Sequence, residues 1–209
     1  MAYAKLRASF QLMKEVNPQN MRMELFEIIL NQRQYASYFN FKNDKPGTEI
    51  SVIGNWLSAR YSNPRKIYRA IEHRPPPNDP PDIVLITQTA MRHGFEVTEF
   101  VDSKTVKRFH QNKTLDWKEF SETEFHSLIN TQIFNKSKKI FKGEPYERKF
   151  LIIYSDEPEL RSNFSYLTNF RYNQKTFFDE TWFMIPPKIN ISGDKSQSEN
   201  CQLFQLLTK

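Results

Sequence analysis

The chain has 209 residues, of which 26% are charged and 38% hydrophobic, with a net charge of +6 and a pI near 9.3. That length suits one compact domain, expected here over residues 1–209, and crowds two; no run of 18 apolar residues occurs, which excludes a helical membrane span. Residues 1–16 interleave charge with short apolar stretches and show no secretory core, and Cys201 is the single thiol, so a reducing, cytoplasmic setting without disulfides or Cys-based zinc is expected.

In chain order, residues 21–39 place Met23, Phe26, Ile29 and Leu30 at helical spacing. A turn-rich NDKPG follows at 43–47, and 50–61 leans helical. Asn63-Pro64 is read as the start of another helix over 64–72, with Ile67, Tyr68 and Ile71 on one side. The five prolines of HRPPPNDPPD, 73–82, exclude helix and central strand and predict a rigid connector.

Residues 82–87 (DIVLIT) read as a buried strand, His93-Gly94 as a turn, and 95–101 (FEVTEFV) as an alternating second strand, together an antiparallel hairpin. Residues 121–142 are the longest helix candidate, opened by a capping box with Glu124 three residues after Ser121. Strands at 150–154 and 181–185 flank a short helix within 158–174. Residues 188–209 read as a polar loop or tail, with 202–207 open to an edge strand or a helical turn. The expected fold is α/β: a mixed sheet flanked by helices, with its core over about residues 20–187.

Charge is concentrated between Lys104 and Lys149, where 11 Lys/Arg face 6 Asp/Glu. Such a segment either meets a polyphosphate or forms a well-solvated surface. Asp82 and Glu96 carry the sharper signal. Acids in strands this apolar are costly unless their charge is compensated, and two carboxylates meeting across neighbouring strands would suit Mg²⁺ or Mn²⁺, with phosphate oxygens completing the coordination. The four histidines show no ligand spacing, and five glycines leave no phosphate-cradling loop. Phe109, Trp117 and Phe120 are read as either packing residues or base-stacking ones.

Pro81-Asp82 followed by Glu96-Val97-Thr98 in a hairpin, with a helix before it and a helix plus strand after, resembles the PD-(D/E)XK nuclease superfamily and its restriction-endonuclease-like core. The resemblance implies a Mg²⁺-dependent endonuclease acting on nucleic acid, DNA in preference to RNA, with a homodimer as one assembly such enzymes use. It also implies metal ligation by Asp82, Glu96 and the Val97 carbonyl, and an acid from the preceding helix, Glu24 in preference to Glu27. The family's lysine two residues after the Glu is replaced here by Thr98.

Some members of the superfamily take that lysine from the following helix. Lys136 falls on the predicted stripe of Ile129, Ile133 and Ile140, with Gln132 one turn before it. Either Lys136 reaches the carboxylates, with Gln132 beside it, or it snorkels to water. Lys138 and Lys139 are expected to face solvent, where nucleic-acid phosphates would meet them. Loss of the motif lysine also supports a rival: a catalytically inactive domain of the same fold that binds nucleic acid or protein.

Overall fold

The computed structural model describes residues 45–101, 119–143, 145–155, 164–172, 176–186 and 201–208. The predicted helix at 21–39, with Glu24 and Glu27, lies outside them, as do Phe109 and Trp117. Among the described residues, six strands form one sheet in the order β1 (Tyr68–His73), β2 (Ile83–Thr87), β3 (Arg92–Glu99), β4 (Arg148–Tyr154), β5 (Glu180–Ile185) and β6 (Gln202–Thr208). The β3–β4 and β4–β5 pairs are parallel and the other three antiparallel. This is the expected mixed sheet flanked by helices. No helix among the described residues is long and apolar enough to cross a membrane.

Helix α1 (Lys45–Arg60) buries Val52, Ile53, Trp56 and Leu57 on one face of the sheet, against Ile71, Ile83, Leu85, Phe95, Val97, Phe150 and Ile152. Trp56 anchors it, edge-on to Phe95, Phe150 and Trp182 at 5.2, 5.7 and 6.3 Å; burying such a ring contributes about 2–3 kcal/mol. Helix α2 (Glu122–Ser137) packs Phe125, Ile129 and Ile133 on the opposite face, with Val84, Leu151, Ile153 and Phe183. The Ser121 hydroxyl caps it by accepting from the Glu124 N–H at 3.3 Å, as the capping pattern predicts. Residues of β3 therefore alternate between the layers: Phe95 and Val97 face α1, and Glu96 faces α2. Phe120, 2% exposed, is core. A four-residue helix, α3 (Ser165–Thr168), lies between β4 and β5.

Four expectations need correction. Residues 64–72 are not a helix: a 3-10 turn at Pro64–Lys66 leads into β1. A register irregularity between Tyr68 and Ala70 breaks strict alternation there and hides the strand's period of two. His93-Gly94 is not a turn but part of β3. The hairpin turns at residues 88–90, where Thr87 closes the loop by donating its N–H to Met91 O and accepting the Ala90 N–H on its carbonyl and the Met91 N–H on its hydroxyl.

Helix α2 stops at Ser137, five residues early. Ile140, expected on its buried stripe, is 77% exposed, and Phe141 turns inward instead at 2%. The chain leaves the helix to strap the proline-rich connector: the Lys142 N–H donates to Pro80 O at 2.7 Å and its ammonium to Pro77 O at 2.7 Å. Finally, residues 202–208 do not stay in the polar tail expected over 188–209 but take the edge-strand alternative read for 202–207. They form edge strand β6, antiparallel to β5, so the sheet extends beyond residue 187.

Gly94 is needed where Phe141 comes in. A Cβ at position 94 would lie 2.7 Å from two Phe141 ring carbons and 3.3 Å from Pro81 Cγ, and a buried ring has little room to retreat. Gly94→Ala should cost about 1–3 kcal/mol in urea denaturation. Combination with Phe141→Leu should recover part of that loss; strict additivity of the two would contradict the close approach.

Candidate metal centre

Ile83 lies opposite Phe95 in the β2–β3 ladder, so continuing the register one residue puts Asp82 opposite Glu96. Directly opposed residues share a face, and both acids belong to the α2 side. Asp82 is 4% exposed and Glu96 1%. Asp82 Oδ2 accepts the Val97 N–H at 2.8 Å, which ties the carboxyl to the strand carrying its partner. A residue's N–H and C=O leave a strand on the same edge, so the Val97 carbonyl faces the Asp82 side too.

Lys136 reaches Glu96. Its ammonium donates to Glu96 Oε1 at 2.7 Å, and Lys139 donates to the same oxygen at 2.8 Å. The first contact selects the inward reading of Lys136 over snorkelling. The second adds to the expectation for Lys139: its side chain is 45% exposed, as expected, yet its ammonium also reaches Glu96. Lys138 does stay exposed, its ammonium 4.1 Å from the centre of the Phe134 ring.

Gln132 does not approach the carboxylates. Its amide donates to Thr98 Oγ1 at 3.0 Å and to Glu99 O at 2.7 Å. The threonine in place of the motif lysine thus serves as an anchor for α2. Gln132 clamps the helix to the end of β3 and holds Lys136, one turn later, above Glu96.

The structure adds a residue that the pattern did not single out. Glu49 of α1, 5% exposed, pairs with His73 Nε2 through Oε2 at 3.0 Å and with Lys45 through Oε1 at 3.0 Å. The same Lys45 ammonium stands 3.7 Å from Asp82 Oδ1. Glu49 lies at i+4 from Lys45 in a helix with a modest apolar face, and only its burial marks it. Its sole sequence signal is an acid one residue before Ile50 on a face that packs inward.

Burial raises the Asp82 carboxyl to about 7, reinforced by the negative charges of Glu96 and Glu49. Burial acts in the same direction on Glu49, but hydrogen bonds from His73 and Lys45 outweigh it and hold that carboxyl below its ordinary range. Burial alone would lower the Lys139 ammonium; its bond to Glu96 and the charges of Glu96 and Asp82 raise it instead.

Among the described residues no group of three or more His, Cys, Asp or Glu side chains stands as a ready-made metal cluster. Ammonium groups intervene between the acids. The residues nevertheless suit a hard divalent cation. Glu96 Oε2 is buried with no hydrogen-bond partner, a carboxylate oxygen left wanting a positive ligand. Burial, together with the charges of Glu96 and Glu49, raises the Asp82 carboxyl above its ordinary range. Asp82, Glu96 and the Val97 carbonyl offer only oxygen, the donor type Mg²⁺ and Mn²⁺ take.

The shifted carboxyl has a consequence for stability. In the folded protein Asp82 titrates near 7, against an ordinary value of 3.8. The fold therefore binds that proton more tightly than the unfolded chain, and stability falls as pH rises from about 4 to about 7. In chelator, Asp82→Asn keeps an acceptor for Val97 and removes the charge. Its melting temperature relative to the parent should climb between pH 5 and pH 8; a difference that stays flat over that range would contradict the shift.

Comparison with protein-family models, with curated proteins and with solved structures finds no match for this chain.

Proposed function

We propose that the chain is a divalent-metal-dependent nuclease with a restriction-endonuclease-like core, hydrolysing phosphodiester bonds in nucleic acid, DNA in preference to RNA. The observation that carries this reading is the Lys136 ammonium 2.7 Å from Glu96 Oε1. A cation from the following helix meets the second acid of the PD…E-x-T pattern, where the motif itself lacks one. The antiparallel hairpin, the parallel strand after α2 and the acid from the preceding helix agree with the same reading, with Glu49 in the place expected of Glu24.

In this reading Asp82, Glu96 and the Val97 carbonyl hold the ion, with Glu49 beside them. When bound, the ion supplies a Lewis acid and makes water acidic enough to attack phosphorus. The chain's own groups do the rest. Lys136 orients the attacking water and offsets negative charge on the phosphorane-like transition state. Lys139, donating to the same carboxylate, is close enough to share that task. Gln132 fixes the helix that presents both, and Lys138 contacts a phosphate from the solvent side.

One observation favours a second reading, a non-catalytic binding module. Glu96 Oε1 already accepts from two ammonium groups, so its charge is compensated by the protein alone.

Cleavage of single- and double-stranded DNA and RNA separates the two. The nuclease reading expects cutting with Mg²⁺ or Mn²⁺ and none in chelator. Glu96→Gln should lower the rate at least about 100-fold and Lys136→Met about 100-fold, while circular dichroism stays unchanged. Retention of nucleic-acid binding with no cutting under either metal would establish the binding module instead.

A further inference from the structure

Every acid of the centre is met by an ammonium group, but the three lysines are not equivalent. Lys136 and Lys139 converge on one oxygen of one carboxylate and are drawn from the α2 side. Lys45 alone spans two carboxylates from different elements: its ammonium lies 3.0 Å from Glu49 Oε1 and 3.7 Å from Asp82 Oδ1. Those acids are 7% and 5% exposed at their side chains, whereas the Lys45 side chain is 71% exposed. A solvated stem thus delivers its charged tip between two buried anions.

Two further facts bear on that arrangement. Lys45 is the first residue of α1, so its backbone is held by the helix while its side chain can swing outward without disturbing the core. Asp82 has its second oxygen committed to the Val97 N–H, so Oδ1 is the oxygen left to receive a cation, and that is the oxygen Lys45 approaches. An ammonium and a divalent ion cannot both occupy the space in front of Oδ1, because the two positive charges repel at that separation.

We propose that Lys45 is a tethered counter-cation: in the metal-free protein it neutralises the Glu49–Asp82 pair, and a divalent ion binds by displacing it outward. This rests on the metal-centre reading above but not on cleavage. The displaced ammonium, still on the lip of the centre, is then free for an anionic group of the incoming ligand. Metal affinity is lowered by the cost of expelling Lys45, and the metal-free fold is spared an uncompensated pair of buried acids.

The test titrates Mn²⁺ and Mg²⁺ against the full chain, reading both calorimetric binding and melting temperature at pH 8. Lys45→Met should melt below the parent in chelator, and the gap should close at saturating metal. Its half-saturating metal concentration should fall about 2- to 5-fold, the range expected when an exposed ion pair is removed. Lys45→Arg, which keeps the charge, should behave like the parent. Lys45→Gln gives a second neutral variant if Lys45→Met folds poorly. Unchanged or weaker metal binding in the neutral variants, or a melting gap that metal leaves open, overturns the proposal. Failure of the nuclease reading looks different: metal binds and Lys45 competes with it, yet nothing is cut. If metal shifts neither protein, the centre itself is wrong and this proposal falls with it.

Discussion

The Glu96 carboxylate lies at 1% exposure between the central strand β3 and helix α2, and much of the surrounding architecture answers to it. A buried charge is tolerated only where opposite charge and hydrogen bonds reach it. Helix α2 ends at Ser137, and the turn that follows brings the Lys139 ammonium to the oxygen that Lys136 also meets. The same early stop sends Phe141 inward over Gly94 and brings Lys142 to the carbonyls of the proline-rich connector.

That connector is the other half of the constraint. Prolines offer acceptors and no N–H, so its carbonyls need donors from elsewhere. The Arg74 guanidinium and the chain after α2 supply them, Arg74 to Asn78 O and Lys142 to Pro77 O and Pro80 O. The loop that positions Asp82 and the turn that positions Lys139 are therefore fastened to each other. Side chains far apart in sequence converge on one end of the sheet because the backbone segments carrying them share hydrogen bonds.

The balance of charge at this end of the sheet is close. Glu49, Asp82 and Glu96 face Lys45, Lys136 and Lys139, with His73 on Glu49. Even so, burial and the neighbouring acids push Asp82 up to about 7, and Glu96 Oε2 has no hydrogen-bond partner. The protein neutralises its acids incompletely. A buried, electrostatically frustrated cluster of oxygen donors is a candidate ligand site, which is a physical ground on which a metal-dependent activity is proposed.

Strong local signals in the amino-acid sequence were enough to determine the β2–β3 hairpin, the capped start of α2, strands β4 and β5, and the placing of Asp82 and Glu96 on adjacent strands. Each rests on side-chain periodicity or capping chemistry within a few residues. The place of Lys136 beside Ile129 and Ile133 allowed an inward or a snorkelling course, and the structure takes the inward one. What escaped was decided over longer range. A bulge disguised β1 as a helix; Thr87, rather than a Gly-containing turn, closed the hairpin; and α2 ended early because Phe141 and Lys142 have better partners off the helix than on it. Gln132 bonded to Thr98 instead of the acids, and Lys139, solvent-exposed as expected, also bonded to Glu96. Glu49 and Lys45 left almost no signature in the sequence, since their roles come from the packing of α1 near the start of β2, which only the tertiary structure brings about.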